Sequence, residues 1–209
     1  MSDGCRAQGT RRGRVAPIAS AVMDERRTDG LRWMVHGERT VYDNRWVRLA
    51  LVDVEPPNGK RFEHHVVRLG RVAVALVVDG DERVLTLWRY RFATDSWGYE
   101  LLGGLVDEGE EPAETARREV EEESGWRPVG AGEHLIGFQP LPGMVDAPVD
   151  VFLFRGAKEV GEPTDTEEAA RIEWIPVDRL LELTRRGELL GAGTIIPVLL
   201  YLLSRTGRE

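Results

Sequence analysis

The chain has 209 residues, enough for one domain with a substantial core and a small additional lobe. Its formal net charge of −8 is uneven, because residues 1–22 carry Arg6, Arg11, Arg12 and Arg14 against Asp3, which leaves the remainder strongly acidic. An acidic body argues against nucleic-acid binding, and no apolar run approaches the roughly eighteen residues of a membrane span. The single cysteine, Cys5, excludes a disulfide framework and a cysteine metal site, in keeping with a cytoplasmic protein.

Residues 1–30 are rich in Arg, Gly, Ser and Ala without periodicity and read as a flexible tail, with Met23 as an alternative start. Residues 31–70 read as a lobe of antiparallel strands. Trp46 to Val54 alternates, Pro56-Pro57-Asn58-Gly59 marks a turn, and Arg61 to Leu69 is the returning strand. Residues 71–209 form the main domain. Val72 to Val78 is a continuous apolar run, as in a buried strand, and Asp79-Gly80-Asp81 turns it into Val84 to Arg91. Trp97 to Leu102 follows, then Gly103-Gly104 and an acidic helix beginning near Pro112 and stopped by Gly125. Further strands are expected at Leu135 to Phe138, Val149 to Phe154 and Ile172 to Ile175. Helices are expected at Val177 to Arg186 and from about Thr194 to Leu203. Strands mixed with few helices indicate an α+β fold with a mixed sheet between helices.

The chemistry is concentrated in the acidic helix. Glu119, Glu122 and Glu123 stand at i, i+3 and i+4, so their carboxylates share one face and repel one another. A solvated acidic face would carry such a run too, but hard oxygen donors grouped this way suit Mg²⁺ or Mn²⁺, which also grip phosphate. The segment also fits the pattern G-x5-E-x7-R-E-U-x-E-E-x-G-U, with U apolar or bulky. Gly104, Glu110, Arg118, Glu119, Val120, Glu122, Glu123, Gly125 and Trp126 fill it in order.

On these residues the chain resembles the Nudix hydrolases. The resemblance implies an α/β/α sandwich with an added N-terminal antiparallel lobe. It also implies metal ligation by Glu119, Glu122, Glu123 and the Gly103 carbonyl, with Arg118 orienting the glutamates and Glu110 bracing the loop. Water would be the nucleophile. Pro142, sixteen residues beyond Trp126, is similar to a marker of the ADP-ribose pyrophosphatase subgroup, though Pro-Gly also makes ordinary turns. Trp88-Arg89-Tyr90-Arg91, Trp97 and Glu100 resemble a Gln-Tyr-Arg, Trp, Glu stretch of that subgroup, which implies that Arg91 contacts phosphate and Glu100 lies beside the metal. Leu102 departs from the subgroup, which usually has Pro there. Glu168 is the expected general base, with Glu167, Glu119 and Glu123 as alternatives.

Tyr42 to Trp46 resembles a stretch in proteins that build the nucleoside pocket across a homodimer. Trp46 or Tyr42 would then stack on adenine, and the competing reading of Trp46 is a core tryptophan. The expected reaction is Mg²⁺- or Mn²⁺-dependent hydrolysis of ADP-ribose to AMP and ribose 5-phosphate. Other nucleotide sugars, dinucleotides or nucleoside triphosphates are alternative substrates, and a non-catalytic ligand-sensing module is the alternative outside enzymology.

Overall fold

The computed structural model describes residues 29–165 and 171–206. The expectations for residues 1–28 and for Glu167 and Glu168 therefore lie outside the described residues. In chain order, a short 3-10 turn at Asp29–Leu31 leads into strands β1 (Met34–Asp43), β2 (Val47–Glu55), β3 (Phe62–Leu69), β4 (Val72–Val78), β5 (Arg83–Arg91), β6 (Ser96–Glu100) and β7 (Leu102–Leu105). Helix α1 (Pro112–Ser124) is followed by β8 (Trp126–Pro128), β9 (Glu133–Phe138), β10 (Val145–Asp146), β11 (Val149–Arg155), β12 (Ala157–Glu159) and β13 (Arg171–Pro176). Helices α2 (Val177–Arg185) and α3 (Ala192–Thr206) close the chain.

A mixed sheet runs β13-β5-β4-β11-β9, with β11 parallel to β4 and the remaining neighbours antiparallel. Strand alternation divides its side chains between two layers. On one face Ala73, Ala75, Leu85, Leu87 and Phe154 pack with Ala116 and Val120 of α1. On the other, Val74, Leu76 and Val151 pack with Leu180 and Leu183 of α2 and Val198 and Tyr201 of α3. The fold is an α/β/α sandwich of the α+β class. The continuous apolar run of β4 is thus explained by burial on both faces.

One strand was expected over Trp97 to Leu102, and two are found. β4 and β5 pair only at Val78 and Val84 beside their turn and then separate. β6 fills the gap on the β5 side, with Leu87 opposite Glu100, and β7 fills it on the β4 side, with Val74 opposite Gly103. Leu102, at the position where the resembled subgroup has Pro, is fully buried and pairs with Ala75, so the chain continues here as a strand.

The N-terminal strands form a second sheet in the order β1-β2-β3-β10. Val47 opposes Leu69 and Val54 opposes Phe62, the hairpin expected from the alternating pattern. β10 adds to β3 in parallel, so residues 145–146 join the first lobe to the body of the domain. β1 is exposed along its whole length.

Candidate active site

Helix α1 begins at Pro112, whose missing N–H costs nothing in the first turn, and ends at Gly125 in the left-handed region at φ 72°. The Gly125 N–H donates to the Glu121 carbonyl (2.8 Å). A methyl group at Gly125 would overlap the Gly161 carbonyl oxygen, so glycine also lets residues 160–165 cross close to the helix end. There the Thr164 and Asp165 N–H groups both donate to the Glu122 carbonyl (2.9 Å each).

The helix brings its acidic residues onto two arginines. Arg118 Nη1 donates to Glu119 Oε1 (2.8 Å) and Glu122 Oε2 (3.0 Å). Its Nε and Nη2 form a fork onto Glu110 Oε1 and Oε2 (3.1 Å each), and the Thr115 hydroxyl donates to Glu110 Oε2 (2.6 Å). These bonds hold the Glu110 carboxyl well below its ordinary range, at about 2, and raise the Arg118 pKa further. Arg118 thus ties Glu110, Glu119 and Glu122 together.

Glu123 faces a different partner. It is only 4% exposed, and Arg89, 2% exposed, donates from Nη2 to Glu123 Oε1 (2.7 Å). The Gly103 N–H donates to Glu123 Oε2 (3.0 Å). Burial pushes the Glu123 carboxyl up to about 7, opposed by the Arg89 guanidinium and the Gly103 amide, which favour the charged form. Glu119 lies over the neighbouring glycine, where a methyl group at Gly104 would overlap its carboxyl. Glu119 and Glu123 thus flank the Gly103–Gly104 segment of β7. Just before β7, the Thr194 hydroxyl of α3 accepts the Leu101 N–H (3.1 Å).

Across β5 and β6, Arg91 donates from Nε to Glu100 Oε1 (3.0 Å) and from Nη2 to Glu100 Oε2 (2.6 Å). Arg89 Nη1 lies 3.7 Å from the same carboxylate. Arg89 and Arg91 are two residues apart on one strand, so both project to the α1 side. The structure therefore brings Arg91, Glu100, Gly103, Arg118, Glu119, Glu122 and Glu123 to one side of the sheet in two adjoining charged groups, Arg118 with Glu119 and Glu122, and Arg89 with Glu123, Glu100 and Arg91. A polar cleft of about 640 Å³ runs along α1 beside them, lined in part by Glu110, Arg118, Glu122 and Thr164.

The oxygen donors at Glu119, Glu122, Glu123 and the Gly103 backbone are those a hard divalent cation takes. The missing side chain at Gly104 leaves the room that the Glu119 carboxylate occupies. Among the described residues, no three carboxylate, imidazole or thiol side chains are gathered around one point, because Arg118 and Arg89 hold the glutamates in two groups.

Three candidate residues lie elsewhere, at the N-terminal sheet: Tyr42 on β1, Trp46 in the β1–β2 turn and Pro142 in the loop before β10. Pro142 lines a cavity of about 290 Å³ with His64, Val66, Gln139 and Met144, and His64 Nε2 is 2.9 Å from the Gly143 carbonyl oxygen. Trp46 is 55% exposed under the Arg45 guanidinium (4.2 Å to the ring centroid) and is not a core tryptophan. Tyr42 is likewise exposed, and its hydroxyl accepts from Asn44 Nδ2 (2.9 Å). Arg89 is the site residue that sequence reasoning passed over. Its signal was an arginine in the inward-facing series Leu85, Leu87, Arg89 of an apolar strand.

The NUDIX domain family matches residues 68–191. The chain is 46% identical over 172 residues to CMP-5'-(N-acetyl-N-hydroxy-3-aminopropyl)phosphonate hydrolase of Streptomyces rubellomurinus, covering 82% of this chain and 83% of the relative. It is 32% identical over 158 residues to an ADP-ribose pyrophosphatase of Mycobacterium tuberculosis, covering 74% and 75%. A crystal structure of an ADP compounds hydrolase superposes with a TM-score of 0.73 at 20% identity, covering 85% of this chain and 96% of that one. The intact glutamate helix, the sandwich that carries it and these matches lead to one conclusion: the chain belongs to the Nudix family and is a Nudix pyrophosphohydrolase.

Proposed function

We propose that this enzyme uses a divalent cation to hydrolyse the P–O–P bond between a nucleoside 5'-phosphate and a second phosphorus-bearing group. The network of Glu119, Glu122 and Glu123 against Gly103–Gly104 carries the reading. Glu119, Glu122, Glu123 and the Gly103 carbonyl would hold the cation, with Mg²⁺ the expected ion and Mn²⁺ an alternative. When bound, it supplies charge neutralisation at the phosphate oxygens and lowers the pKa of an attacking water. Arg118 orients Glu119 and Glu122, while Glu100 holds the Arg91 guanidinium, which would meet phosphate. Glu168 would accept the water's proton. Water oxygen joins one phosphorus, the bridging oxygen leaves with the other, and two acids are released.

For the substrate, the 46% identity favours a cytidine 5'-phosphate joined to a phosphonate. That linkage is a phosphate–phosphonate anhydride, which presents the same bridging oxygen and nearly the same charge as a diphosphate. ADP-ribose, giving AMP and ribose 5-phosphate, is the second reading, favoured by the 32% relative and by the paired Arg91 and Glu100. A homodimer in the cytoplasm completes the proposal, with Trp46 or Tyr42, together with Pro142, serving the nucleoside.

The test is product analysis with Mg²⁺ on a CMP-phosphonate anhydride, ADP-ribose, UDP-glucose and nucleoside triphosphates. Release of CMP at the highest kcat/KM supports the first reading, and preferred AMP release from ADP-ribose replaces it with the second. Turnover of triphosphates alone overturns both. Glu168→Gln should lower kcat about a hundredfold while Glu167→Gln changes it little, and the reverse ranking moves the base to Glu167.

A further inference from the structure

Arg89 is an unusual occupant for the inner face of a strand. It follows Leu85 and Leu87 in alternation, both fully buried, and is itself 2% exposed. A guanidinium keeps its charge at any pH the protein tolerates, so burying it requires compensation. Among the described residues, compensation comes from two acids of the site: Glu123, 2.7 Å from Nη2, and Glu100, 3.7 Å from Nη1. Glu100 is shared with Arg91 (2.6 Å), and Glu123 receives the Gly103 N–H on its other oxygen (3.0 Å). Arg89 therefore joins the Arg91–Glu100 pair, proposed above to meet phosphate, to Glu123, one of the two carboxylates that flank β7. It is the bridge within that group.

That position has two physical consequences of opposite sign. The rigid fork fixes Glu123 in one orientation, which favours a pre-formed site. The same fixed positive charge offsets one carboxylate, so any cation sharing Glu123 feels a weaker field. We propose that Arg89 is a positioning residue which orients Glu123 and Glu100 for turnover and also weakens the grip of the site on its divalent cation. This rests on the reading that Glu123 is among the cation's ligands. A weakly held cation suits an enzyme whose products are two anions that must leave with or without it, so the bridge would trade metal affinity for turnover.

The experiment measures Mn²⁺ binding to the substrate-free protein by electron paramagnetic resonance, beside kcat and KM, for wild type, Arg89→Gln, Arg89→Lys and Glu123→Gln. Arg89→Gln should bind Mn²⁺ at least about threefold more tightly, because a nearby positive charge is removed, while kcat falls about a hundredfold from lost orientation. Arg89→Lys keeps the charge and loses the fork. It should bind Mn²⁺ as wild type does, with kcat reduced at least about tenfold and KM nearly unchanged. If Arg89→Gln does not fold, Arg89→Lys decides alone, and unchanged kcat in it overturns the proposal. Weaker Mn²⁺ binding in a folded Arg89→Gln overturns it as well, since a purely structural role predicts that result. Glu123→Gln separates the two readings. If it leaves Mn²⁺ binding intact, the cation-site reading itself fails, whereas weaker binding in Glu123→Gln together with weaker binding in Arg89→Gln removes only the role given to Arg89.

Discussion

Gly103 and Gly104 are neighbours in the chain, yet each is required by something different. A methyl group on Gly103 would overlap the Ala73 backbone carbonyl of β4, whereas the atoms nearest to one on Gly104 are those of the Glu119 carboxyl, the movable end of a side chain. The two alanine variants should therefore separate stability from activity. Gly103→Ala forces backbone apart and should cost about 1–3 kcal/mol, read as a lower Tm. Gly104→Ala should leave Tm within about 3 °C of wild type, by the stability-to-Tm scaling for a domain of this size. Its kcat should fall about a hundredfold, because displaced carboxylates spoil the geometry of the site. Calorimetry and steady-state kinetics on both variants check this, and equal losses of Tm would sink the distinction.

At the scale of the element, helix α1 is held at both ends by bonds that also shape the site. At its C-terminal end, Gly125→Ala imposes a Cβ on a left-handed residue and on the Gly161 carbonyl oxygen. It should lose at least about 1 kcal/mol and loosen the residues whose amides reach the Glu122 carbonyl. Hydrogen exchange at Thr164 and Asp165 should rise in step with the stability loss, and unchanged exchange there would count against this account. At the N-terminal end, the Arg118 fork and the Thr115 hydroxyl hold Glu110 at about 2, below the 4.5 of an unperturbed glutamate. A carboxyl with a depressed folded pKa binds fewer protons in the folded state than in the unfolded one. Its contribution to stability is therefore complete above about pH 4.5 and disappears as the pH falls toward 2. Denaturant titrations of wild type and Glu110→Gln should differ by a constant amount from pH 5.5 to 7.5, with the gap closing steadily below about pH 4.5. A gap independent of pH down to about 3 would show that the bond to Arg118 does not hold the charge.

For the whole molecule, β1 presents ten exposed residues, Trp33 lies just before it, and Met34, Val35 and Val41 are among its large apolar side chains facing solvent. An open strand edge of this kind is a pairing surface. Under the proposed homodimer, light scattering should report twice the chain mass at micromolar concentration. Val35→Glu should shift it to the monomer and raise KM more than it lowers kcat, if the nucleoside is held between subunits. A wild-type monomer at that concentration would remove the dimer from the proposal.

The amino-acid sequence by itself determined the parts that depend on local periodicity and on spacing along one element. Glu119, Glu122 and Glu123 at helical spacing, Pro112 and Gly125 at the ends of that helix, and the hairpin around Asn58-Gly59 are all set by neighbours a few residues apart. The family followed from the same residues. Contacts between distant segments were not legible. Arg89 and Glu123 are 34 residues apart, and only the packing of α1 across β5 places them 2.7 Å from each other. The division of residues 96–105 between two strands depends on how β4 and β5 part beyond Val78 and Val84, and β10 is too short to announce itself without β3 beside it. Pro142, singled out by sequence as a subgroup marker, and Trp46, singled out for the nucleoside, lie in loops beside the N-terminal sheet instead of among the charged residues of α1, β5 and β6. The physical reason is general: secondary structure and charge spacing are local properties of the chain, while burial, ion pairing and strand partnership are decided when separate segments meet.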